Sequence, residues 1–73
     1  MKSRISTLER ALSILEIIGN SNKPLDINQL ANLSGIPLSS LYRLLDTLTA
    51  MGFLNRNQED RTYSLGFKLL YLG

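Results

Sequence analysis

Apolar residues near the start of the chain recur at the spacing of an α-helix. They form one stripe with steps of three and four residues: Leu8, Ala11, Leu12, Leu15 and Ile18. This stripe predicts a helix over about 7–19 with its apolar side buried. Ile14 and Ile17 fall beside the stripe, so the helix is either broadly buried or carries a second contact surface for a partner.

Two further helices are predicted, with a tight turn between them. Asp26 suits the N-cap of a short helix, whose apolar positions are Ile27, Leu30, Ala31 and Leu33. Gly35 suits the left-handed conformation that ends a helix, and Pro37 suits the first turn of the next one. That longer helix, over about 38–51, has an apolar inner face: Leu41, Leu44, Leu45, Leu48 and Met51.

After Gly52 the pattern changes to that of a β-hairpin. We predict strands over 53–57 and 61–65, joined by a turn at 58–60. A further apolar helical segment begins at Phe67. The predicted fold is therefore mainly α with a small β-hairpin: a winged helix-turn-helix, with three helices in the core and the hairpin as the wing.

The composition favours a binding module over an enzyme. Of 73 residues, 44% are hydrophobic, and none is cysteine or histidine, which removes the commonest metal ligands and the commonest general base. The chain offers no nucleophile–base pair and no phosphate-cradling glycine loop. We predict no catalytic residue, no metal and no cofactor. No apolar run approaches the ~20 residues that span a bilayer, and no signal peptide is evident, so we expect a cytoplasmic protein without a membrane partner.

The outer face of the longer helix is polar and suits the DNA major groove, which admits one α-helix. Ser39 and Ser40 can donate and accept hydrogen bonds. Tyr42 can bond a phosphate or stack on a base, and Arg43 can bind guanine or a phosphate. Thr47 lies on a flank of this face. The alternative interpretation is an ordinary solvated helix surface.

Asp46 follows Arg43 by three residues and has three possible roles. It can hold the arginine through an i,i+3 contact, accept a hydrogen bond from cytosine, or keep the second half of the helix away from phosphates by charge repulsion. We favour the first role.

The predicted wing carries two arginines, Arg56 and Arg61, on either side of an acidic tip formed by Glu59 and Asp60. A hairpin beside a recognition helix commonly contacts the DNA backbone or the minor groove. The acidic tip implies that the arms of the wing, and not its end, face the DNA. The alternative is a salt-bridged surface hairpin.

Lys2 and Arg4 precede the first helix and can add phosphate contacts, unless the start of the chain is disordered. Together with Arg43 and the two wing arginines, they give the predicted DNA-binding surface five positive charges. Three carboxylates on the same surface oppose them: Asp46, Glu59 and Asp60. Because affinity follows the number of phosphates neutralised, one copy is expected to bind weakly, and this favours a homodimer on a symmetric site. We expect Arg43 and the two serines to read bases, and the other cations to contact the backbone.

Four segments together resemble a known family: STLERALSIL (6–15), SGIPLSSLYRLLDTL (34–48), GF (52–53) and YSLG (63–66). In this order they look like the N-terminal winged helix-turn-helix of the isocitrate lyase regulator (IclR) family of bacterial transcription factors. Each segment alone is unspecific, but the match runs along nearly the whole chain.

The resemblance implies a transcriptional regulator that binds double-stranded operator DNA, expected to be palindromic, as a dimer or tetramer. It implies pairing through the first helix and a linker helix, with Ile14, Ile17, Leu69 and Leu70 as contacts. Residues 1–66 would form the DNA-binding domain. Residues 67–73 would begin the linker to a C-terminal domain, outside this sequence, that binds a small-molecule effector.

Two rival interpretations remain. One is a winged helix of another bacterial regulator class, such as the multiple-antibiotic-resistance regulator type. The other is a winged-helix module that contacts only proteins, which the polar residues Ser39, Tyr42, Arg43 and Thr47 on the longer helix disfavour.

Overall fold

The computed structural model describes residues 6–72, with the backbone alone for 70–72. In chain order the elements are α1 (Ser6–Asn20), α2 (Ile27–Ser34), α3 (Leu38–Ala50), β1 (Leu54–Arg56), β2 (Tyr63–Leu65) and α4 (Phe67–Leu72). The predicted fold class is confirmed, since helices dominate and the two strands form one antiparallel hairpin. No helix in this described part is long and apolar enough to cross a membrane.

The hydrophobic core is built from side chains of the first three helices and of the hairpin. Five are fully buried: Ile14 from α1, Leu30 from α2, Leu41 and Leu45 from α3, and Leu54 from β1. Burying one such side chain contributes about 1.5–3 kcal/mol. The shared core therefore fixes how each helix is rotated about its own axis, and α3, with two of the five, lies at its centre.

The rotation of α1 differs from the prediction. Ile14 and Ile18 are buried, whereas Leu8 and Leu12 of the predicted stripe are 53% and 52% exposed. Ile17 is half-buried against the core. The apolar residues of α1 cover more than half of its circumference, so their spacing alone did not say which side faces inward. That side is set by packing against α2 and β2.

This rotation corrects the predicted partner contacts of α1. Ile14 has no exposed surface, so it cannot contact a second copy of the chain, and the prediction for this residue was wrong. Ile17 packs mainly against the core. The exposed apolar side of α1 is instead the side that carries Leu8 and Leu12.

The turn between α2 and α3 forms as the sequence predicts. The Asp26 side chain accepts from the backbone N–H of Gln29, and the Gln29 side chain accepts from the N–H of Asp26, each at 2.9 Å. This reciprocal capping box holds the start of α2. Gly35 ends the helix with φ at 72°, a conformation that favours glycine. Ile36 is then buried beneath the turn, and Pro37 stands just before α3 rather than inside it.

Two apolar positions at helix ends are more exposed than predicted. Leu33 is 62% exposed, because α2 turns Leu30 into the core with Ile27 and Ala31 packed beside it, and Leu33 lies off that side of the helix. Met51 is 53% exposed, because α3 ends at Ala50 and Met51 is its C-cap residue, while Leu54 takes the next buried position.

The hairpin is shorter than predicted, with three residues in each strand and the register Leu54↔Leu65, Asn55↔Ser64 and Arg56↔Tyr63. A two-stranded hairpin is marginal by itself, and here it is tied to the rest of the fold. Leu25 forms an isolated antiparallel bridge with Tyr63, through hydrogen bonds of 3.1 and 2.7 Å. This bridge anchors the wing to the chain before α2.

The return from the hairpin passes very close to the end of α3. The backbone N–H of Gly66 donates to the carbonyl of Phe53 at 2.8 Å. A Cβ atom on Gly66 would collide with the carbonyl oxygen of Gly52 and lie 2.9 Å from the nitrogen of Leu54. All of these atoms belong to backbone, so they cannot move aside as a flexible side chain would.

We therefore expect Gly66→Ala to lower the free energy of unfolding by about 1–3 kcal/mol, the usual effect of overpacking. Urea denaturation followed by circular dichroism measures it. Gly19→Ala is the matched control, because a Cβ there would lie 3.6 Å from Leu65, an ordinary contact. Within α1 this control should be neutral or stabilising by up to about 1 kcal/mol. Equal stability of both variants would contradict the close approach.

Candidate nucleic-acid interface

The outer face of α3 presents the predicted polar side chains. Leu41, Leu45 and Leu48 face the core, so the positions opposite them face solvent. Four predicted site residues are exposed there and the fifth, Ser40, is half-buried on a flank: Ser39, Tyr42, Arg43, Thr47 and Ser40. The structure thus brings the predicted α3 residues onto one side of the domain.

Leu38 is a further exposed side chain at the start of this face, which the sequence reasoning missed. It is 50% exposed, and Tyr42, one turn later, is 49% exposed. Residues four apart on a helix are neighbours. The N-terminal half of α3 therefore presents an apolar pair beside Ser39 and Arg43.

The predicted contact between Asp46 and Arg43 does not form. Among the side chains that the structure describes, no carboxylate lies within ion-pair distance of Arg43. Arg43 instead lines a cleft of about 250 Å³ between α1 and α3, which we name the arginine cleft: Thr7, Arg10, Ser40, Arg43, Leu44 and Thr47.

Arg10 and Thr7 were not predicted at this surface. They lie one and two turns before Ile14, on the same side of α1, but beyond the edge of the core. The side of α1 that is buried further along the helix therefore continues here beside the flank of α3. The spacing of Thr7, Arg10 and Ile14 is visible in the sequence. Their position beside α3 could be predicted only by knowing that Ile14 faces the core.

The wing has one arginine on an arm and one at its tip. Arg56 lies on β1, with its guanidinium carbon 6.0 Å from the centre of the Tyr63 ring across the hairpin, at the outer limit for a cation–π contact. Arg61 was predicted to begin the return strand, and this was wrong. It has φ at 57° and its N–H donates to Asn57 at 2.8 Å, so it belongs to the turn.

Side chains at the acidic tip of the wing form hydrogen bonds within the turn. Asp60 accepts from the backbone N–H of Thr62 at 3.2 Å and from its hydroxyl at 2.7 Å. The Asn57 side chain accepts from the N–H of Glu59 at 2.9 Å. Such side-chain to backbone bonds stabilise tight turns. Arg61 therefore lies at the tip with Glu59 and Asp60. Of the two arginines predicted on the arms of the wing, Arg56 is the one that lies on an arm.

A second surface is apolar and lies where α1, α3 and the start of α4 meet. We name it the apolar groove, with a volume of about 600 Å³: Thr7, Leu8, Ala11, Leu12, Leu15, Leu44, Thr47, Leu48, Met51, Phe53 and Leu69. The predicted contact residue Leu69 lies in it. Lys2, Arg4 and the Leu70 side chain fall outside what the structure describes.

Metal binding finds no support in the described residues, which contain no group of three acidic, histidine or cysteine side chains able to hold an ion. The arrangement is that of a binding surface. A helix with a polar outer face follows a tight helical turn and precedes a β-hairpin, and this defines the winged helix-turn-helix class.

Comparison with known families agrees with this class and narrows it. The family model of the IclR helix-turn-helix domain matches residues 7–58. The chain belongs to the IclR helix-turn-helix family, as the motifs in its sequence predicted.

The curated relatives are transcriptional regulators. The chain is 38% identical over 69 residues to the HTH-type transcriptional regulator XynR of Escherichia coli (strain K12), covering 94% of this chain and 27% of that protein. It is 32% identical over 74 residues to the HTH-type transcriptional regulator KipR of Bacillus subtilis (strain 168), covering 100% of this chain and 28% of that protein. The chain thus spans little more than a quarter of these relatives.

Solved structures share the fold. The crystal structure of an IclR family transcriptional regulator from Brucella abortus superposes with a TM-score of 0.88 at 26% identity, covering 99% of this chain and 28% of that one. Pseudomonas aeruginosa HmgR gives a TM-score of 0.85 at 29% identity, covering 94% and 28%.

Proposed function

We propose that this domain binds operator DNA in a sequence-specific manner and thereby regulates transcription, with α3 in the major groove. The observation that carries the proposal is the exposed polar face of α3, on which Arg43 has no carboxylate partner among the described side chains. Its membership of the IclR helix-turn-helix family supports the same function.

The side chains on α3 suit direct readout of base edges. An α-helix with its side chains is about 10–12 Å across, and the major groove is about 12 Å wide, so the N-terminal turns of α3 can enter it. Arg43 can bind guanine O6 and N7 through two parallel hydrogen bonds. Ser39 offers a small hydroxyl for close approach, and Leu38 with Tyr42 offers an apolar surface for a thymine methyl group.

The wing and the N-terminal arm complete the proposed contact with the DNA backbone. Arg56 is exposed on β1 and can reach a phosphate or the minor groove. Arg61 sits beside two carboxylates at the tip, so it is the weaker candidate. We retain Lys2 and Arg4 as further phosphate contacts.

We further propose that two copies pair through the apolar groove. Leu8, Leu12 and Met51 are each more than half exposed there, and large exposed apolar patches mark interaction sites. A second copy is the favoured occupant because the DNA face of one copy carries few cations, and a dimer doubles its phosphate contacts. Leu69, on α4, extends the groove toward the proposed linker helix.

The remaining proposals rest on the family resemblance. Residues 1–66 would act as the DNA-binding unit, and α4 would begin the linker to a domain that binds a small-molecule effector. The relatives, which are more than three times as long as this chain, are consistent with such a further domain. A cytoplasmic location suits a protein that acts on DNA.

Fluorescence anisotropy with duplex DNA tests the function. We expect binding whose affinity falls steeply with salt, because phosphate contacts release counterions. Selection from a random duplex library should then yield a preferred, two-fold symmetric sequence. Failure to bind any duplex at low salt, by protein that sedimentation shows to be dimeric, would favour the protein-contact alternative.

Arg43→Ala tests base reading. We expect it to weaken binding to the selected sequence by about 1–3 kcal/mol and to relax specificity at one base position. Lys23→Ala is the matched control, since this exposed lysine lies in the connection between α1 and α2, and it should leave specificity unchanged. An equal loss on every sequence would show that Arg43 contacts a phosphate instead.

The pair of substitutions Leu8→Ser and Leu12→Ser tests the dimer. Both side chains are more than half exposed, so the fold should survive, while the dimer dissociation constant should rise by roughly tenfold or more from lost apolar burial. Sedimentation equilibrium measures it. Leu33→Ser is the control, because Leu33 is 62% exposed and lies outside the groove. A wild-type protein that stays monomeric would contradict pairing through the apolar groove.

A further inference from the structure

The arginine cleft lies where the N-terminal half of α1 passes the flank of α3. Its α3 side is a single helical stripe, residues 40, 43, 44 and 47, and its α1 side is formed by Thr7 and Arg10. Arg10 and Arg43 are both exposed. The cleft therefore joins the proposed recognition helix to a helix that no sequence argument had placed at the DNA.

The chemical groups in this cleft suit an anion. Two arginines line it and no acidic residue does. Arginine is a donor only, and the three hydroxyls of Thr7, Ser40 and Thr47 can also donate. Guanidinium groups bind phosphate oxygens through paired hydrogen bonds. Two like charges beside one cleft repel each other, and an anion between them removes that repulsion.

The nearby carboxylates lie outside the cleft. Glu9 lines the neighbouring cleft beneath the turn between α2 and α3, together with Gly35 and Ile36. Asp46 is exposed on α3 but does not contribute to the lining. Arg10 lines both clefts, so this residue lies between the helix-turn-helix turn and the flank of α3.

We propose that the arginine cleft binds a backbone phosphodiester of the DNA strand that borders the groove occupied by α3, and that Arg10 is a positioning residue for that helix. The cleft has a volume of about 250 Å³, several times the roughly 30 Å³ that one water molecule takes in the liquid. It therefore has room for a phosphate group. The inference rests on the proposed function. It adds a phosphate site on α1 to the base-reading face of α3.

This site gives the two arginines different roles. Arg10 belongs to α1, which would lie beside the DNA major groove. Its side chain would contact the DNA backbone, which carries no sequence information directly. Arg43 has five donors, so it can share the phosphate and also reach a base. The phosphate held between the two arginines would fix the depth at which α3 enters the DNA major groove and the rotation of α3 about its own axis there.

Arg10→Gln tests the site with two duplex probes, a random sequence and the sequence selected by the wild-type protein. We expect affinity to fall by a similar factor, about tenfold at moderate salt, on both probes. The slope of log affinity against log salt should become shallower by about 0.9, the loss of one phosphate contact. Lys23→Gln removes the same charge away from the cleft and should leave the slope unchanged.

The conservative variant separates charge from structure. Arg10→Lys keeps a cation and should restore most of the salt slope, with weaker binding than arginine because the paired hydrogen bonds are lost. Thermal denaturation of each variant checks that the fold persists. If Arg10→Gln unfolds, Arg10→Lys and Thr7→Val carry the test, the latter by removing one hydroxyl donor from the cleft.

The outcomes distinguish this inference from the proposed function. If the wild-type protein binds DNA and folded Arg10→Gln keeps its affinity and salt slope, the phosphate site is wrong and the function stands. A loss confined to the selected sequence would show that Arg10 reads a base, which also overturns the site. Absence of wild-type binding to any duplex would remove the proposed function itself.

Discussion

The shared core of five fully buried aliphatic side chains is the constraint on which the rest of the structure depends. Ile14, Leu30, Leu41, Leu45 and Leu54 come from four different elements, and none is more than 1% exposed. Because the chain has no cysteine for a disulfide and its described residues contain no cluster of side chains able to hold a metal ion, burial of such groups is the main force holding so small a domain together. Each helix must rotate until its own residue reaches this centre. The surfaces available for binding are whatever that rotation leaves outside.

The rotation of α1 shows how one packing contact determines two surfaces. With Ile14 inward, Arg10 lies one turn earlier beside the flank of α3, and Leu8 and Leu12 lie on the exposed side. Thr7 and Thr47 line both the arginine cleft and the apolar groove. The proposed phosphate site and the proposed pairing surface therefore share a border. Any shift of α1 against α3 on pairing would also move the groups offered to DNA, which links the two proposals physically.

Backbone contacts, rather than strand length, hold the wing in position. The hairpin has only three residue pairs, but Leu25 bridges to Tyr63 on one side and Gly66 meets Phe53 on the other. Tyr63 is itself buried and lies opposite Arg56 across the hairpin. These contacts fix the base of the wing against the core, so Arg56 extends from a rigid strand. Arg61, in the turn, is separated from that support.

The sequence alone determined the order of elements and the helix-turn-helix, because these follow from local physics, and the resemblance of its motifs indicated the family. Asp26 caps a helix through its own neighbours, and Gly35 adopts a conformation that few other residues tolerate. The polar face of α3 was equally readable, since a clean leucine stripe defined its opposite side. Only the tertiary structure decided which side of α1 is buried. That helix is apolar around most of its circumference, so the choice depended on contacts with α2 and β2, distant in sequence. The exposure of Leu8 and Leu12, the burial of Ile14 and the position of Arg10 and Arg43 beside the same cleft all follow from that one non-local choice.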